Sequence, residues 1–340
     1  MTQPLLSVVV VNWNAKDFIV GCIQSIFASD YKNLEIILVD NHSEDGSIEF
    51  LRKSLAFEVL SKIKIIVNDK NFGAAYALDQ GAELAKGKYL TFIATDTKVE
   101  RECFSQLANL FESDRTIGGA SSKLLMMDDH KRIDSAGEYL NQFGLLMQRH
   151  AGFEIDRGQF SEVADIFGVK GTALTVRRDV FSEVGGYPKD YFMFLEETDL
   201  CWRIWLSGKR IVFLPNAVIY HASGVSINSH KHSSYLVKYY GSRNYIFTLA
   251  KNLGTWQLIK ILPLHILMWL SLAFLFVLKG RAQEAIYITK GVFWNFTHLG
   301  NVLKQRSLVQ KKRKVSDKVL MPKILRKVKF SYLFDRVGMW

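Results

Sequence analysis

The sequence predicts an α/β fold in which a mostly parallel sheet, buried on both faces, is followed by apolar helices and a basic tail. Three observations predict it. Short β-rich runs alternate with helical patterns through the first hundred residues. These runs are apolar without alternation, as in parallel strands covered by helices on both sides. Near the C-terminus, Ile261 to Leu278 holds eighteen residues without Asp, Glu, Lys or Arg.

The strand-like runs are Leu5 to Val11, Glu35 to Val39, Lys64 to Val67 and Lys88 to Ile93. Between the first two, Phe18, Ile19, Cys22, Ile23, Ile26 and Phe27 recur at helical spacing, with Asn14 and Asp17 placed as N-cap and N3. This succession is a βαβαβα, Rossmann-like half. Asp114 to about Gln159 loses periodicity, with breakers at Ser135-Ala136-Gly137 and Gly144, and reads as strands and loops over the sheet. Helices follow from Asp179 to Val184, stopped by Gly185-Gly186, and from Glu197 to about Ser207, stopped by Gly208. Strands are expected at Ile211 to Leu214 and Val218 to His221.

As a helix, Ile261 to Leu278 would extend roughly 27 Å at about 1.5 Å per residue, close to the ~30 Å hydrocarbon thickness of a bilayer. Trp269, Phe274 and Phe276 leave it no polar stripe. The next segment, Ala285 to Leu303, is mostly apolar but holds Lys290, Asn295 and His298. Residues 301–340 then carry twelve Lys or Arg against Asp317 and Asp335, a net +10 of the chain's formal +11. A basic block after an apolar stretch points to anionic lipid headgroups, and nucleic acid is not expected as a partner. Leu320, Met321, Ile324, Leu325, Val328 and Tyr332 interleave with Lys323, Arg326, Lys327 and Lys329 in an interfacial amphipathic pattern.

Met1 to Pro4 has no basic n-region, so the N-terminal domain is expected in the cytosol. The block Lys311 to Lys314 favours the same side for the C-terminus, which requires an even number of crossings, a re-entrant hairpin or interfacial helices, the last two being favoured. Cys22, Cys103 and Cys201 stand far apart among apolar neighbours, as reduced structural thiols do. The chain is thus read as a catalytic domain over 1–240, a membrane-associating helical region over 241–305 and a basic amphipathic tail over 306–340.

Ligands of α/β proteins bind beyond the carboxyl ends of the strands. The first strand ends in Val11-Asn12-Trp13-Asn14 and the second in Val39-Asp40-Asn41-His42-Ser43-Glu44-Asp45-Gly46-Ser47. No G-x-G-x-x-G follows the first strand, which disfavours a dinucleotide oxidoreductase. Asp40 is placed either to accept hydrogen bonds from a base or ribose or to cap a helix.

The segments Val8 to Asn14, Leu38 to Ser47 and Asn71-Phe72-Gly73 resemble the opening motifs of family 2 glycosyltransferases, in particular the rhamnosyltransferase-like branch. The resemblance continues through Ala94-Thr95-Asp96-Thr97, Gly171 to Tyr187 with Arg177-Arg178, Glu196 to Arg203, and His221-x-x-Gly224-x-Ser226, covering residues 5 to about 230. It implies a GT-A fold and transfer, with inversion, of one sugar from a nucleotide-diphosphate donor. Asn12, Asn14, Asp40, Asn71, Gly73, Asp96 and Arg203 are then the expected contacts to the nucleotide sugar.

Cleaving a sugar from a diphosphate leaves a charged group that a divalent cation, Mg²⁺ or Mn²⁺, can neutralise. By the resemblance Asp96 is the last Asp of the D-x-D motif and His221 a further metal or diphosphate contact. The first position of that motif is Ala94, so the metal set has one side chain fewer. Glu197 occupies the place of the catalytic base that takes the acceptor hydroxyl's proton. Crowding by Glu196 and Asp199 together with burial is expected to raise its pKa. Asp199 and Arg203, four apart on a helix, are expected first as a structural ion pair, with the diphosphate contact of Arg203 as the alternative.

Two functions fit. The first is transfer of a sugar, from a dTDP-rhamnose or UDP-hexose type donor, to a lipid-linked or membrane-proximal glycan acceptor at the cytoplasmic face of the cell membrane, in polysaccharide biosynthesis. The alternative, suggested by Ala94, is a catalytically weak membrane-bound scaffold that keeps a sugar-nucleotide pocket. A processive synthase is disfavoured because the Q-x-x-R-W motif is absent and one apolar segment is too short for a channel.

Overall fold

The computed structural model describes residues 3–150, 152–171, 173–222 and 233–329. Gly224 and Ser226 of the histidine motif, and Tyr332, Asp335 and Arg336 of the tail, lie outside the described residues. The chain divides into two units, one of Met1–Glu138 with Gln148–Ser229, the other of Tyr139–Met147 with His230–Trp340.

The first unit starts with the alternation expected: β1 (Leu6–Asn12), α1 (Lys16–Ala28), β2 (Leu34–Asp40), α2 (Ser47–Ser54), a single turn α3 (Phe57–Leu60), β3 (Ile63–Val67), α4 (Ala74–Leu84) and β4 (Tyr89–Ala94). β1 pairs in parallel with both β2 and β4, and β2 with β3. Val8, Val9, Val10 and Leu38 are wholly buried, which is why these strands are apolar on both faces. α1 turns Ile19, Cys22, Ile23 and Ile26 inward.

The expected cap of α1 is different in the fold. Ala15 is its N-cap residue and makes no side-chain capping bond. Asn14 instead adopts φ +49 and its side-chain Oδ1 accepts from Glu44 N–H at 2.8 Å, while Asp45 Oδ2 receives the Lys16 N–H at 2.8 Å. A carboxylate from the loop after β2 thus satisfies the helix terminus.

Next come β5 (Thr97–Val99), α5 (Cys103–Ser113), β6 (Ile117–Met126), β7 (Ile133–Ser135), β8 (Glu138–Asn141), β9 (Leu146–Gln148), β10 (Ala164–Asp165), β11 (Leu174–Arg177), α6 (Arg178–Val184), α7 (Glu196–Leu206) and β12 (Arg210–His221). Among the described residues one sheet of ten strands runs β10-β12-β6-β11-β4-β1-β2-β3, with β5 added to β12 and β7 to β6. β11 is antiparallel to β4 and β6. The two strands expected between Ile211 and His221 are one, with a register shift between Leu214 and Val218 where Pro215 has no N–H to give the ladder. β5 lies antiparallel on the end of β12, with Thr97 opposite His221.

The second unit holds α8 (Ser233–Asn252), α9 (Thr255–Leu278), α10 (Ala282–Thr297), α11 (Leu299–Lys312), α12 (Asp317–Ile324) and β13 (Leu325–Arg326). Its core joins Ile246 to Trp269, Leu272, Ala273, Phe276, Ala285, Ile288 and Val292. The second apolar segment breaks at His298 into α10 and α11. Among the described residues α9 is the one helix long and apolar enough to cross a membrane. It is two-sided: Ile261, His265, Trp269 and Phe276 are buried, whereas Trp256, Ile259, Leu264, Leu267, Phe274 and Leu278 are exposed.

The tail corrects the interfacial reading of its apolar positions. Leu320, Met321 and Ile324 are buried, and Leu325 pairs in parallel with Leu140 of β8. Val328 N–H also donates to Gln142 Oε1 at 3.0 Å. The apolar stripe packs on the protein itself, since hydrophobic burial does not distinguish a lipid from a neighbouring hairpin.

Candidate active site

The loops after β1 and β2 are bound to one another by side chains. Asp40 Oδ1 accepts from Asn12 Nδ2 at 2.7 Å and Ser43 Oγ at 2.6 Å, and its Oδ2 accepts from Ser43 N–H at 3.0 Å. Asn12 Nδ2 also lies 2.8 Å from Ser47 Oγ. Asp40 is therefore no helix cap; it folds its own loop as an Asx turn. Asn12 is fully buried, so its amide side chain holds the two loops together from within.

Asn41, which sequence reasoning passed over, joins this loop to the next. Its Nδ2 donates to Asn71 Oδ1 at 2.9 Å, and its Oδ1 accepts from Phe72 N–H at 3.1 Å. Asn71 Oδ1 also accepts from Gly73 N–H at 2.8 Å. Gly73 has φ +89, and a β-carbon there would collide with the carbonyl oxygen of Phe192. Glycine alone lets the segment before α7 approach the start of α4, where Ala74 N–H donates to Phe192 O at 2.8 Å.

Four residues other than glycine have positive φ among the described residues: Asn14, His42, Phe194 and Leu195. Two lie in the loops after β1 and β2, and two directly precede the acidic start of α7. Left-handed backbone is unfavourable for Phe and Leu, and such strain gathers where a site demands one geometry.

Asp96 and His221 meet at the end of the β5–β12 ladder, where Ala222 N–H donates to Asp96 O at 2.9 Å. His221 Nε2 lies 3.5 Å from Asp96 Oδ2, and Nδ1 lies 2.8 Å from Asp134 Oδ2. The other oxygen of Asp134 is 2.6 Å from Lys170 Nζ. Burial alone would lower the imidazole pKa, but bonding to Asp134 and Asp96 and their charge outweigh it and hold the pKa above its ordinary value. Asp134 and Lys170 were missing from the sequence reading, because β7 is three residues long in a stretch without periodicity. Ala94 gives the site only its backbone, whose carbonyl accepts from Thr97 Oγ1 at 2.7 Å. Among the described residues no three His, Cys, Asp or Glu side chains converge as a complete metal cage.

Every residue of α7 is buried, including Glu196 and Glu197. Burial, then the neighbouring Glu196, pushes the Glu197 carboxyl well above the usual range. Burial also lifts Glu196 to about 7. Asp199 does not contribute as expected, since it pairs with Arg203 Nε at 2.9 Å. The remaining Arg203 donors reach Val184 O at 2.8 Å and Gly186 O at 2.7 Å. Arg203 is thus a brace for the Gly185-Gly186 turn and is withdrawn from the expected diphosphate contacts.

Two further features surround the acids. Gly171 lies against Glu197, whose Oε1 would be 2.7 Å from a β-carbon at that position. Glu196 Oε2 and the Tyr187 hydroxyl, both in electrostatic reach of Glu197, are buried without a hydrogen-bond partner among the described residues. Buried polar atoms without partners are rare in folded proteins, and here they flank a carboxylate of raised pKa.

The loops that follow β1, β2 and β4 lie within a known family pattern. The model of "Glycosyl transferase family 2" matches residues 7–185. Over 103 residues the chain is 33% identical to glycosyltransferase GlyG of Streptococcus pneumoniae, covering 30% of this chain and 34% of GlyG. Over 89 residues it is 34% identical to N-acetylglucosaminyl-diphospho-decaprenol L-rhamnosyltransferase of Mycobacterium tuberculosis, covering 26% of this chain and 28% of the relative. The chain thus spans about a third or less of the length of these relatives. In fold it is similar to the mannosyltransferase PcManGT of Pyrobaculum calidifontis, solved with GDP-Man and Mn²⁺, with a TM-score of 0.54, 17% identity, and coverage of 92% of this chain and 87% of that one. With a family model matched across more than half its length, on the segments that build the Asp40, Asn71 and Asp96 loops, the chain belongs to glycosyl transferase family 2.

Proposed function

We propose that this protein is an inverting glycosyltransferase that moves one sugar from a nucleotide-diphosphate donor, of dTDP-rhamnose or UDP-hexose type, to a lipid-linked saccharide acceptor. The observation that carries the reading is Glu197: a buried carboxyl of raised pKa at the N-terminus of α7, behind two residues in left-handed backbone and against Gly171. A general base works best with a pKa near the operating pH. Its carboxylate takes the proton of the acceptor hydroxyl as that oxygen forms a bond to the anomeric carbon. The bond from that carbon to the diphosphate oxygen breaks on the opposite face, so the nucleoside diphosphate leaves and the configuration inverts.

Asn14, Asn71 and the loop held by Asn12 and Asp40 border the nucleotide pocket in this reading, and Gly73 lets the backbone at Phe192 close against the start of α4. Asp96 and His221 fit a divalent cation, since a carboxylate oxygen and an imidazole nitrogen suit Mn²⁺ and Mg²⁺ and leave positions for phosphate oxygens. When bound, that cation supplies charge neutralisation for the leaving diphosphate.

The exposed apolar face of α9 and the basic tail support attachment to an anionic membrane surface, with the active site at the cytoplasmic face. The name of the Mycobacterium tuberculosis relative, a transferase to a decaprenol-linked sugar, supports a lipid-linked acceptor and a role in cell-surface polysaccharide synthesis. Ala94 favours a second reading, a weak enzyme that chiefly binds sugar nucleotide. The test is incubation with radiolabelled dTDP-rhamnose, UDP-glucose, UDP-galactose and UDP-N-acetylglucosamine plus membrane lipid extract, beside Glu197→Gln. Label should enter the lipid fraction only with the parent protein; transfer that survives the substitution removes Glu197 as the base. Nucleotide binding indifferent to Mn²⁺, with no turnover of any donor, would favour the second reading.

A further inference from the structure

We propose that Asp134 is a positioning residue that fixes the tautomer of His221, so that the Nε2 lone pair faces Asp96 and the two side chains form a cation site without a side-chain ligand from Ala94. The inference rests on the reading of Asp96 and His221 as cation contacts. Asp134 is fully buried, and one of its oxygens lies 2.8 Å from His221 Nδ1. A carboxylate oxygen only accepts, so in the neutral imidazole Nδ1 carries the proton and Nε2 is bare. Nε2 is the atom on the Asp96 side, 3.5 Å from Oδ2. A carboxylate behind a metal-binding histidine orients the ring and raises its basicity as a ligand.

Lys170 gives Asp134 its direction. Its ammonium, 2.6 Å from Asp134 Oδ1, is donor only and must face an oxygen. In Asp134→Asn the single carbonyl oxygen is therefore drawn to Lys170, and the amide NH₂ is left facing His221 Nδ1. Nδ1 must then accept, the proton moves to Nε2, and an N–H points at the cation site. The substitution keeps shape and volume yet reverses the histidine. Removing the ammonium as well, in Asp134→Asn with Lys170→Met, frees the amide to turn its oxygen back to Nδ1.

Two measurements test this. In long-range ¹H–¹⁵N spectra of metal-free, ¹⁵N-histidine-labelled protein, at a pH above the imidazole titration and with His221→Asn for assignment, the parent should show His221 protonated at Nδ1. Asp134→Asn should show it protonated at Nε2. Titration with MnCl₂, followed by loss of the free Mn²⁺ paramagnetic resonance signal, should give a Kd about 10- to 100-fold weaker in Asp134→Asn. The double variant should recover most of that loss, which a purely structural role for Asp134 would not allow. A parent protein protonated at Nε2, or an Asp134→Asn variant with parental Mn²⁺ affinity, overturns the proposal. A parent without Mn²⁺ affinity overturns the cation reading and this proposal together.

Discussion

Gly171 and the carboxylate of Glu197 adjoin so closely that a β-carbon on Gly171 would stand 2.7 Å from Glu197 Oε1. The obstructing atom is the end of a flexible side chain, so Gly171→Ala should fold and displace the carboxylate. A displacement of the base by about 1 Å costs on the order of 100-fold in rate. Turnover should fall by that order while the melting temperature stays within a few degrees. Parental turnover in Gly171→Ala would detach this glycine from the base.

The dependence of rate on pH follows from the same acid. Glu197 must be ionised to accept a proton, and its pKa lies well above that of an ordinary glutamate. The rate should rise with pH through an apparent pKa above the ordinary carboxylate range and then level off. Because Glu196 adds to the shift, the value belongs to the pair, and Glu196→Gln should move the rising limb to lower pH. An unmoved limb would show that the charge of Glu196 is not felt at the base.

Stability should respond to Glu196 in the opposite direction. Its folded pKa, about 7, exceeds the unfolded value of 4.5. The folded state then binds more protons between these values, so this contribution is complete below the unfolded pKa and is lost as pH rises through the folded one. Glu196→Gln should stabilise the protein at pH 8 by on the order of 1–3 kcal/mol and have little effect at pH 4. Thermal melts at the two pH values decide it.

Arg203 should prove structural. Arg203→Leu leaves the fully buried Asp199 without this partner, and breaking a buried pair costs about 3–5 kcal/mol. Replacing both residues with leucine should recover part of the loss. Affinity for UDP or dTDP, measured calorimetrically below the transition, should stay within about twofold of the parent, whereas a guanidinium gripping the diphosphate would weaken it about tenfold or more on removal.

Ile259, Leu267 and Phe274, each about 60% exposed, present the outer face of α9. If this face enters a bilayer interface, each side chain contributes up to about 1.5–3 kcal/mol, and replacing all three with serine should cut vesicle binding by 100-fold or more. The basic tail adds a component lost at high salt. Cosedimentation with phosphatidylglycerol and phosphatidylcholine vesicles separates the two, and parental binding by the triple variant would exclude this face.

Much of the fold was legible because its determinants are local. Val8 to Val11 and Ile36 to Val39 are apolar on both faces, and that pattern suits only a covered parallel strand. The helical spacing from Ile19 to Ile26 likewise needs no distant partner to be seen. Less local features went wrong. The cap of α1 is Asp45 of another loop, and the apolar stripe at Leu320, Met321 and Ile324 reads the same whether its cover is lipid or protein.

By itself the sequence determined the alternation of strands and helices in the first hundred residues, the loops at their carboxyl ends and the family pattern, and it named Asp96 and Glu197 as candidates, all from periodicity and short runs of neighbours. Only the tertiary structure decided which charges are bound elsewhere and which face the site. It bound the rest of the Arg203 guanidinium, whose pairing with Asp199 the helical spacing already indicated, to the Gly185-Gly186 turn, brought Asp134 behind His221 from 87 residues away, and set Gly171 against Glu197. The reason is physical: hydrogen-bond direction and burial depend on which strands pair, and β6, β7 and β12 pair across distances that no local pattern records.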